Sequence, residues 1–398
     1  MPDRPWIGPR VRLLLSLGAL GIATTSLFTA PAVGAPLDSA QPARTGPALR
    51  AALDEVIQAP LGPPGLSVLI DRKGRTQFLR RGLADVVTGQ RPTARLHMRI
   101  ASVAKALSGA VALALVSEGK LSLDDTIGER LPGVLPLAEN VTLRQALQHT
   151  GGLPDYIRDD EFLAVLQTDP AQYLTPLQLV EYVADTPLTH APGSEYEYSD
   201  TDNVIVGLMA EAATGLSYNE LLERYVYGPA KLRRTSLPDT IAMPTPFLHG
   251  YDVLENEPPF DTSELINPAL AWASGGIVST PIDLGRFFRA YVGGDLFGGK
   301  ARRAQNDFVI GSSDPPGPGR NRATLGLFRY VTRCGTVYGH TGSFPGYRLF
   351  AASTANGKRS VVFSVNSQIV PGQGSEEVSD LISHAQEDAV CHALRRRP

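Results

Sequence analysis

Ser102 and Lys105 stand three residues apart in a stretch that is otherwise almost entirely apolar. Positions 99 to 116 read RIASVAKALSGAVALALV, and after Arg99 the one charged side chain is Lys105. Residues at this spacing on a helix share a face. A hydroxyl becomes a nucleophile when a neighbouring base takes its proton, and an amine desolvated by apolar neighbours can be that base. The pair predicts nucleophilic chemistry at Ser102 with Lys105 as the base.

Lys105 also has a simpler interpretation as a structural residue. A lysine on an apolar helix can lay its aliphatic stem along the surface and keep its amine in water. The pattern S-x-x-K is short enough to occur by chance in many proteins. Taken alone, it favours this structural interpretation, so the catalytic one depends on other parts of the chain.

A second stretch, EYEYSDTDN, places Tyr198 in a loop just before a helix predicted over 204–215. A tyrosine there could relay a proton between Ser102 and a leaving group. A third stretch, VYGHTGSFPGY, predicts a strand that carries His340, Thr341 and Gly342. A strand edge with a glycine can dock an extended peptide through main-chain hydrogen bonds, because no side chain blocks the approach.

The elements that must position these residues follow from hydrophobic spacing. Residues 48–59 predict a first helix, and 66–70 with 76–81 predict a hairpin. The chain from Ser102 to about 296 is mostly helical, with Pro/Gly loops between the helices. Strands return at 324–331, 336–342, 347–354 and 359–367, and 375–394 predicts a closing amphipathic helix with Ser375 as its N-cap.

Strands at both ends and helices between them predict an α+β fold in α/β/α layers. One antiparallel sheet would be built from both termini, with a helical lobe inserted. The predicted sheet lobe covers about 48–100 and 297–398, and the helical lobe covers about 101–296. Together they form one predicted catalytic domain over 48–398.

The three motifs in this order resemble those of the serine penicillin-recognising enzymes, the β-lactamases and penicillin-binding proteins. That family carries S-x-x-K, Y-x-N and [KH]-T-G. The stretches EGKLSLDDTIGERLP, LRQALQHTGGLPDY and SGGIVSTPIDLGRF also look like its class C branch. The histidine of the third motif looks most like secreted actinobacterial D-alanyl-D-alanine carboxypeptidases. The resemblance covers about residues 66 to 367 and implies the β-lactamase/DD-peptidase fold.

The resemblance implies that Ser102 attacks a carbonyl and forms an acyl-enzyme, while Lys105 and Tyr198 move its proton to the leaving group. His340 completes the implied catalytic set. The backbone N–H groups of Ser102 and Ser343 would form the oxyanion hole. Substrate contacts are expected from Asp200, Thr341, Gly342 and Ser343. No metal or cofactor is expected, and β-lactam antibiotics are expected as inhibitors.

Two departures from the family pattern concern substrate binding. Asp200 stands where the family has asparagine, and an ionised carboxylate only accepts hydrogen bonds. Asp200 would therefore need a proton or a lysine partner, and Lys105 is the obvious candidate. The related carboxypeptidases also use an arginine on the preceding strand to grip the substrate's carboxylate. Phe328 takes that position here, with Arg329 one residue on and expected to point to the opposite face.

The leading prediction is a D-alanyl-D-alanine carboxypeptidase that acts on peptidoglycan stem peptides. An esterase, a D-aminopeptidase and a β-lactamase of the same family are enzymatic alternatives. A cell-wall protein that only binds peptides is the non-enzymatic one. The net charge of -3 and the lack of basic recognition motifs argue against nucleic-acid binding.

The N-terminus predicts export. Arginines precede an apolar run, which ends in the small-residue stretch APAVGA, so 1–35 predict a signal peptide and 36–47 a linker. We expect a secreted monomer without stable membrane association after cleavage. In an oxidising compartment Cys334 and Cys391 could form a disulfide that ties the last helix to the sheet, or remain two unrelated thiols.

Overall fold

A computed structural model describes residues 46–371 and 375–395. The predicted signal peptide lies outside these residues, and so does the predicted linker except its last two positions, which begin the first helix. No helix in the described ranges is long and apolar enough to cross a membrane.

An eight-stranded antiparallel sheet forms the centre of the fold. Its spatial order is β2-β1-β12-β11-β10-β9-β8-β7, so strands from both ends of the chain meet where β1 pairs with β12. The strands of this sheet are β1 (Gly65–Arg72), β2 (Arg75–Gly82), β7 (Val309–Ile310), β8 (Arg320–Thr324), β9 (Leu327–Thr332), β10 (Gly335–Phe344), β11 (Tyr347–Ser353) and β12 (Arg359–Val365). Two short pairs lie outside it: β3 (Met98–Arg99) with β6 (Val278–Ser279), and β4 (Tyr251–Asp252) with β5 (Phe260–Asp261).

Helices cover both faces of the sheet. They are α1 (Gly46–Gln58), α2 (Ala104–Ser117), α3 (Ile127–Arg130), α4 (Leu143–Gln148), α5 (Asp160–Thr168), α6 (Pro176–Glu181), α7 (Asp200–Thr214), α8 (Tyr218–Leu222), α9 (Gly228–Ala230), α10 (Trp272–Gly275), α11 (Pro281–Gly293), α12 (Gly299–Ala304) and α13 (Glu376–Leu394). The apolar faces of α1 and α13 pack on one side of the sheet. The larger core, built around the almost wholly buried α2, lies on the other side. The α+β layered fold predicted from the sequence is confirmed.

Most predicted elements form close to their expected bounds, but one predicted strand is divided. The sequence predicted a single strand over 324–331, whereas β8 ends at Thr324 and β9 begins at Leu327. Gly326 between them has a φ of 66°, a conformation that favours glycine. A Cβ there would lie 2.8 Å from the Cα of Gly109 in α2. The chain turns here because it must pass closely over α2.

Cys334 and Cys391 form a disulfide in the structure. Cys334 lies in the turn between β9 and β10, and Cys391 lies in the last turns of α13. The bond therefore ties the last helix to the sheet, and the two-thiol alternative is excluded. Ser375 stands at the N-cap position of α13, but its side chain makes no capping hydrogen bond.

Candidate active site

Ser102 lies on a short 3₁₀ helix, Ala101–Val103, that leads directly into α2. The residue before it, Ala101, has a φ of 49° although it is not a glycine, and it is buried. Such backbone strain persists only where the surroundings enforce it, and it is common at functional sites. Strand β10 packs against this turn, since a Cβ on Gly342 would lie 2.6 Å from the carbonyl oxygen of Ile100. Gly342 lets the strand approach Ser102.

Lys105 is buried, with 1% of its side chain exposed, and its amine has three acceptors. Nζ donates to Ser102 Oγ at 3.0 Å, to Asp200 Oδ1 at 2.7 Å and to the Ser274 carbonyl at 3.1 Å. Three acceptors use all three protons of an ammonium group. The structural alternative, in which this amine reaches into solvent, is excluded. Lys105 is placed to exchange a proton with Ser102 once one of its own has left.

Asp200 begins α7 and reaches toward α2 across the site. Its partner is Lys105, as expected for a carboxylate in place of an amide. Its own backbone N–H donates to Asp155 Oδ1 at 3.0 Å. Two carboxylates are thus held close together. Burial and the neighbouring Asp200 charge raise the pKa of Asp155 to about 7.

Tyr198 packs its ring against the Lys105 amine, which lies 5.0 Å from the ring centroid. Its hydroxyl is buried and faces the Ser102 side chain, without a hydrogen bond of normal geometry to any described residue. Burial raises the pKa of Tyr198 well above its ordinary value, so the group is a neutral phenol at rest. A buried hydroxyl beside the cavity, facing Ser102, can bond a leaving group or the Ser102 hydroxyl.

His149 supports Tyr198 from behind. Their rings lie 4.5 Å apart, and His149 Nδ1 lies 2.7 Å from Asp202 Oδ2 in a fully buried pair. The sequence indicated that His149 braces a loop around the cleft rather than reacts, and this packing agrees with that role. Burial lowers the pKa of His149 well below its ordinary value.

His340 lies behind the cavity wall rather than in it. Its Nδ1 is 2.5 Å from the Thr341 carbonyl, and its ring packs edge-on against Phe328 at 5.0 Å. Burial lowers the pKa of His340 to about 3, so the imidazole is neutral at physiological pH. It adjoins Tyr198 at 6.5 Å between ring centroids. His340 therefore contributes packing and not positive charge.

Thr341 and Ser343 lie on the same face of β10 but have different partners. Thr341 is buried, and its hydroxyl donates to the Pro315 carbonyl at 2.6 Å, outside the cavity lining. Ser343 does line the cavity, and its Oγ accepts from Gln368 Nε2 at 3.0 Å. Pairing between β9 and β10 ends at Gly339, whereas pairing with β11 continues to the end of β10. The final residues of β10 thus offer one edge that β9 does not cover.

Arg329 is not part of the cavity wall. Its guanidinium stacks over the Phe308 ring at 4.6 Å, and the residue pairs across the strands with Tyr338. Phe328, at the position where the related carboxypeptidases carry their carboxylate-binding arginine, packs against His340. Neither side chain supplies a positive charge to the cavity.

A cavity of about 260 Å³ opens at Ser102. Much of its wall is apolar, from Ile157, Phe162, Leu163, Leu166, Ile266, Leu270, Phe344 and Val370. Its polar lining includes Ser102, Tyr198, Asp200 and Ser343, so four residues chosen from three distant motifs meet here. Lys105 lies immediately behind Ser102.

Sequence reasoning missed Asp155, Asp314 and Gln368, which also line the cavity. Asp155 lies at the end of the HTGGLPDY stretch and Asp314 in the proline-rich loop SSDPPGPG. These residues lie far apart along the chain, so no sequence pattern predicts that they share one cavity. The one available indication was Asp155, an acidic residue at the end of the HTGGLPDY stretch.

The sequence profile described as Beta-lactamase matches residues 53–381, most of the chain. The chain belongs to the Beta-lactamase family. Its fold matches the solved structure of a D-stereospecific amidohydrolase from a Streptomyces species with a TM-score of 0.72 and 28% identity, which covers 84% of this chain and 98% of that one.

Two curated proteins are similar to part of this chain. "Protein flp" of Staphylococcus aureus (strain MW2) is 28% identical over 183 residues, which is 44% of this chain and 35% of that protein. A "Putative D-alanyl-D-alanine carboxypeptidase" of Escherichia coli (strain K12) is 34% identical over 131 residues, 30% of this chain and 29% of that protein. The matches span about a third of the length of these relatives.

Proposed function

We propose that the protein is a serine amidohydrolase that cleaves the amide bond after a D-amino-acid carbonyl through an acyl-enzyme on Ser102. The observation that carries the proposal is the convergence of Ser102, Lys105, Tyr198 and Asp200 at one cavity. The hydroxyl oxygen would attack the carbonyl carbon, and its proton would pass to Lys105 after the amine has lost a proton. The leaving amine would take up a proton from Tyr198, whose buried hydroxyl lines the same cavity, and Tyr198 would regain a proton from Lys105. A water molecule would then cleave the acyl ester and return a proton to Ser102 Oγ.

The N–H groups of Ser102 and Ser343 are the proposed oxyanion donors. Ser102 lies on the 3₁₀ helix that leads into α2, Ser343 lies on the uncovered edge of β10, and both line the cavity. Donors fixed in place before the reaction stabilise the developing negative charge without reorganisation. The apolar wall would hold the substrate's side chain and exclude water.

Two substrate types fit this proposal, and each has its own support. A D-alanyl-D-alanine carboxypeptidase is favoured by the relative with that name in Escherichia coli. A D-amino-acid amidase or aminopeptidase is favoured by the similarity to the Streptomyces amidohydrolase. An esterase or β-lactamase activity would use the same acyl-enzyme. We also propose export from the cell, which rests on the N-terminal sequence pattern alone.

The experiment is a hydrolysis panel with the purified protein and its Ser102→Ala variant. A diacyl D-Ala-D-Ala peptide reports carboxypeptidase activity by D-alanine release, and D- and L-amino acid amides report amidase activity by ammonia release. The proposal expects release from at least one D-substrate, little from its L-counterpart, and none with Ser102→Ala. Equal activity of the variant, or hydrolysis of p-nitrophenyl esters without any amide, would overturn it.

A further inference from the structure

Two adjoining grooves lie at the end of the sheet where the β1–β2 and β11–β12 turns meet. A hydrogen bond from the Lys73 N–H to the Lys358 carbonyl, 2.7 Å long, joins the two turns. Lys73 and Arg359 line both grooves, so the grooves are continuous. Within the described ranges no acidic residue lines them, whereas six cationic side chains do, and these form the cationic face: Lys73, Lys358, Arg72, Arg75, Arg359 and Arg395.

Three arginines of the cationic face are held directly opposite one another. Arg72 on β1 is in register with Arg359 of β12 on one side and with Arg75 of β2 on the other. Like charges at directly opposed positions of antiparallel strands destabilise a sheet. Burial and neighbouring arginines also lower the pKa of the nearby His392 to about 4. The whole chain carries a net charge of -3, so this concentration of positive charge is local.

The fold itself uses part of this charge. Arg72 and Arg359 donate to main-chain carbonyls in the last turn of α13, where the helix end carries partial negative charge. Asp71, the acidic residue at the end of β1, is buried and is ion-paired at 2.6 Å with Arg289, which lies outside the cationic face. These contacts give Arg72 and Arg359 a structural role.

Lys73, Arg75 and Lys358 have no such role. All three side chains are exposed, and none makes a hydrogen bond or an ion pair with a described residue. Their charges add to the repulsion around Arg72 without any compensating contact within the described part of the chain. Such an arrangement indicates a ligand of opposite charge.

The size and lining of the grooves favour a linear polymer. Six positive charges along two continuous grooves match several anionic groups, more than a single phosphate ion carries. Neither groove is lined by an aromatic ring on which a nucleic-acid base could stack. The large apolar side chains that are exposed in the described residues lie elsewhere, so nothing here would enter a lipid surface. Guanidinium groups, which supply four of the six cations, match phosphate oxygens in pairs.

We propose that the cationic face docks a linear polymer of phosphate groups. Phe344 and Pro345, just before β11, line the cavity at Ser102, whereas Lys358 lies in the turn after β11. The seven residues of this strand separate the two places by about 20 Å. A docked polymer therefore holds the protein in place and leaves the cavity open.

The test measures the binding of labelled long-chain polyphosphate to the purified protein by fluorescence anisotropy over a range of NaCl concentrations. We expect the logarithm of the binding constant to fall with the logarithm of the salt concentration with a slope of about -3, as for about four phosphate contacts. The triple variant Lys73→Gln, Arg75→Gln and Lys358→Gln should bind at least about 10-fold more weakly, and the slope should shrink by about 2.

A matched control removes the same number of charges elsewhere. Arg303→Gln, Arg320→Gln and Arg322→Gln neutralise three exposed side chains outside both grooves, and this variant should bind within about 2-fold of the wild type. Thermal unfolding at low salt checks the folding of both variants. The groove variant should melt at or above the temperature of the wild type, because like charges have been removed.

No binding of polyphosphate at low salt, or an equal loss of binding in the two triple variants, would overturn the proposal. Tighter binding of single-stranded DNA, polyglutamate or phosphatidylglycerol vesicles than of polyphosphate would overturn the choice of partner. Tripolyphosphate that binds as tightly as the long polymer would show a site for a small anion instead of a docking surface. A groove variant that melts below the wild type would contradict the destabilisation assigned to the like charges.

Discussion

Lys105 Nζ donates to Asp200 Oδ1 at 2.7 Å, so the candidate base of the site is ion-paired with a carboxylate where the family pattern has an amide. The three protons of the amine point at Asp200, Ser102 Oγ and the Ser274 carbonyl, so the amine must give one up before it can accept the Ser102 proton. Asp200 therefore opposes the step that makes Lys105 a base.

Asp200→Asn should raise the rate of acylation about 10-fold, because the amide keeps an acceptor oxygen for Lys105 but removes the negative charge that holds the amine in the ion pair. Single-turnover acylation by a labelled penicillin measures the rate in the variant and the wild type. An unchanged or lower rate would show that the ion pair does not restrain the base.

Tyr198→Phe should lower the rate of amide hydrolysis about 100-fold or more with little change in KM, because it removes a proposed proton donor without altering the ring. Tyr196→Phe is the matched control, since the Tyr196 hydroxyl donates to the Ser312 carbonyl and lies outside the cavity lining. Steady-state kinetics of both variants, with thermal unfolding as a check on folding, measures the difference. Equal loss in both variants would assign Tyr198 a structural role.

Gly342→Ala should separate β10 from the Ser102 turn. The added Cβ would lie 2.6 Å from the Ile100 carbonyl oxygen and 3.1 Å from Ala101 Cβ, so backbone must shift. We expect a loss of about 1 to 3 kcal/mol in the free energy of unfolding, together with reduced activity. Gly298→Ala, where a Cβ meets nothing within 4 Å, is the control in urea denaturation. Full activity of Gly342→Ala would contradict the proposed approach of β10.

Asp155 should make the protein less stable as pH rises. Its folded pKa of about 7 lies above its value of 3.8 in the unfolded chain, because burial and Asp200 disfavour ionisation. As the pH rises, the unfolded chain loses the Asp155 proton before the folded protein does. The free energy of unfolding therefore falls between pH 3.8 and about pH 7. Asp155→Asn cannot titrate and keeps an acceptor for the Asp200 N–H.

The variant should therefore gain stability relative to the wild type across this window, by about 1 kcal/mol or more once the pH is above about 8. Urea denaturation at several pH values measures the difference. A difference that stays constant with pH would show that Asp155 ionises normally in the folded protein.

The sequence predicted the parts of the site that lie in short motifs. Ser102 and Lys105 share a helical face by spacing, and the order of the three motifs along the chain singled out Tyr198. The central strands could be predicted because β1, β11 and β12 are continuous runs of residues that are buried on both faces of the sheet. These signals are local, so a single sequence contains them.

Other features depend on contacts between distant segments. Asp155 and Asp314 meet in the cavity only because the helical region and the loop before β8 fold over the same edge. The Thr341 hydroxyl turns to Pro315 because the same loop passes beside β10. The division of the strand at Gly326 reflects its close approach to α2. Contacts between distant segments leave no periodic pattern in the sequence of either segment.

The role of Ser102 as the nucleophile is tested most directly by mass spectrometry of the acid-quenched protein after incubation with benzylpenicillin. We expect one added penicilloyl mass, located by proteolysis on the peptide that contains Ser102 and Lys105, and no adduct in Ser102→Ala. A matching adduct in Ser102→Ala, or labelling at another residue of the wild-type protein, would contradict it.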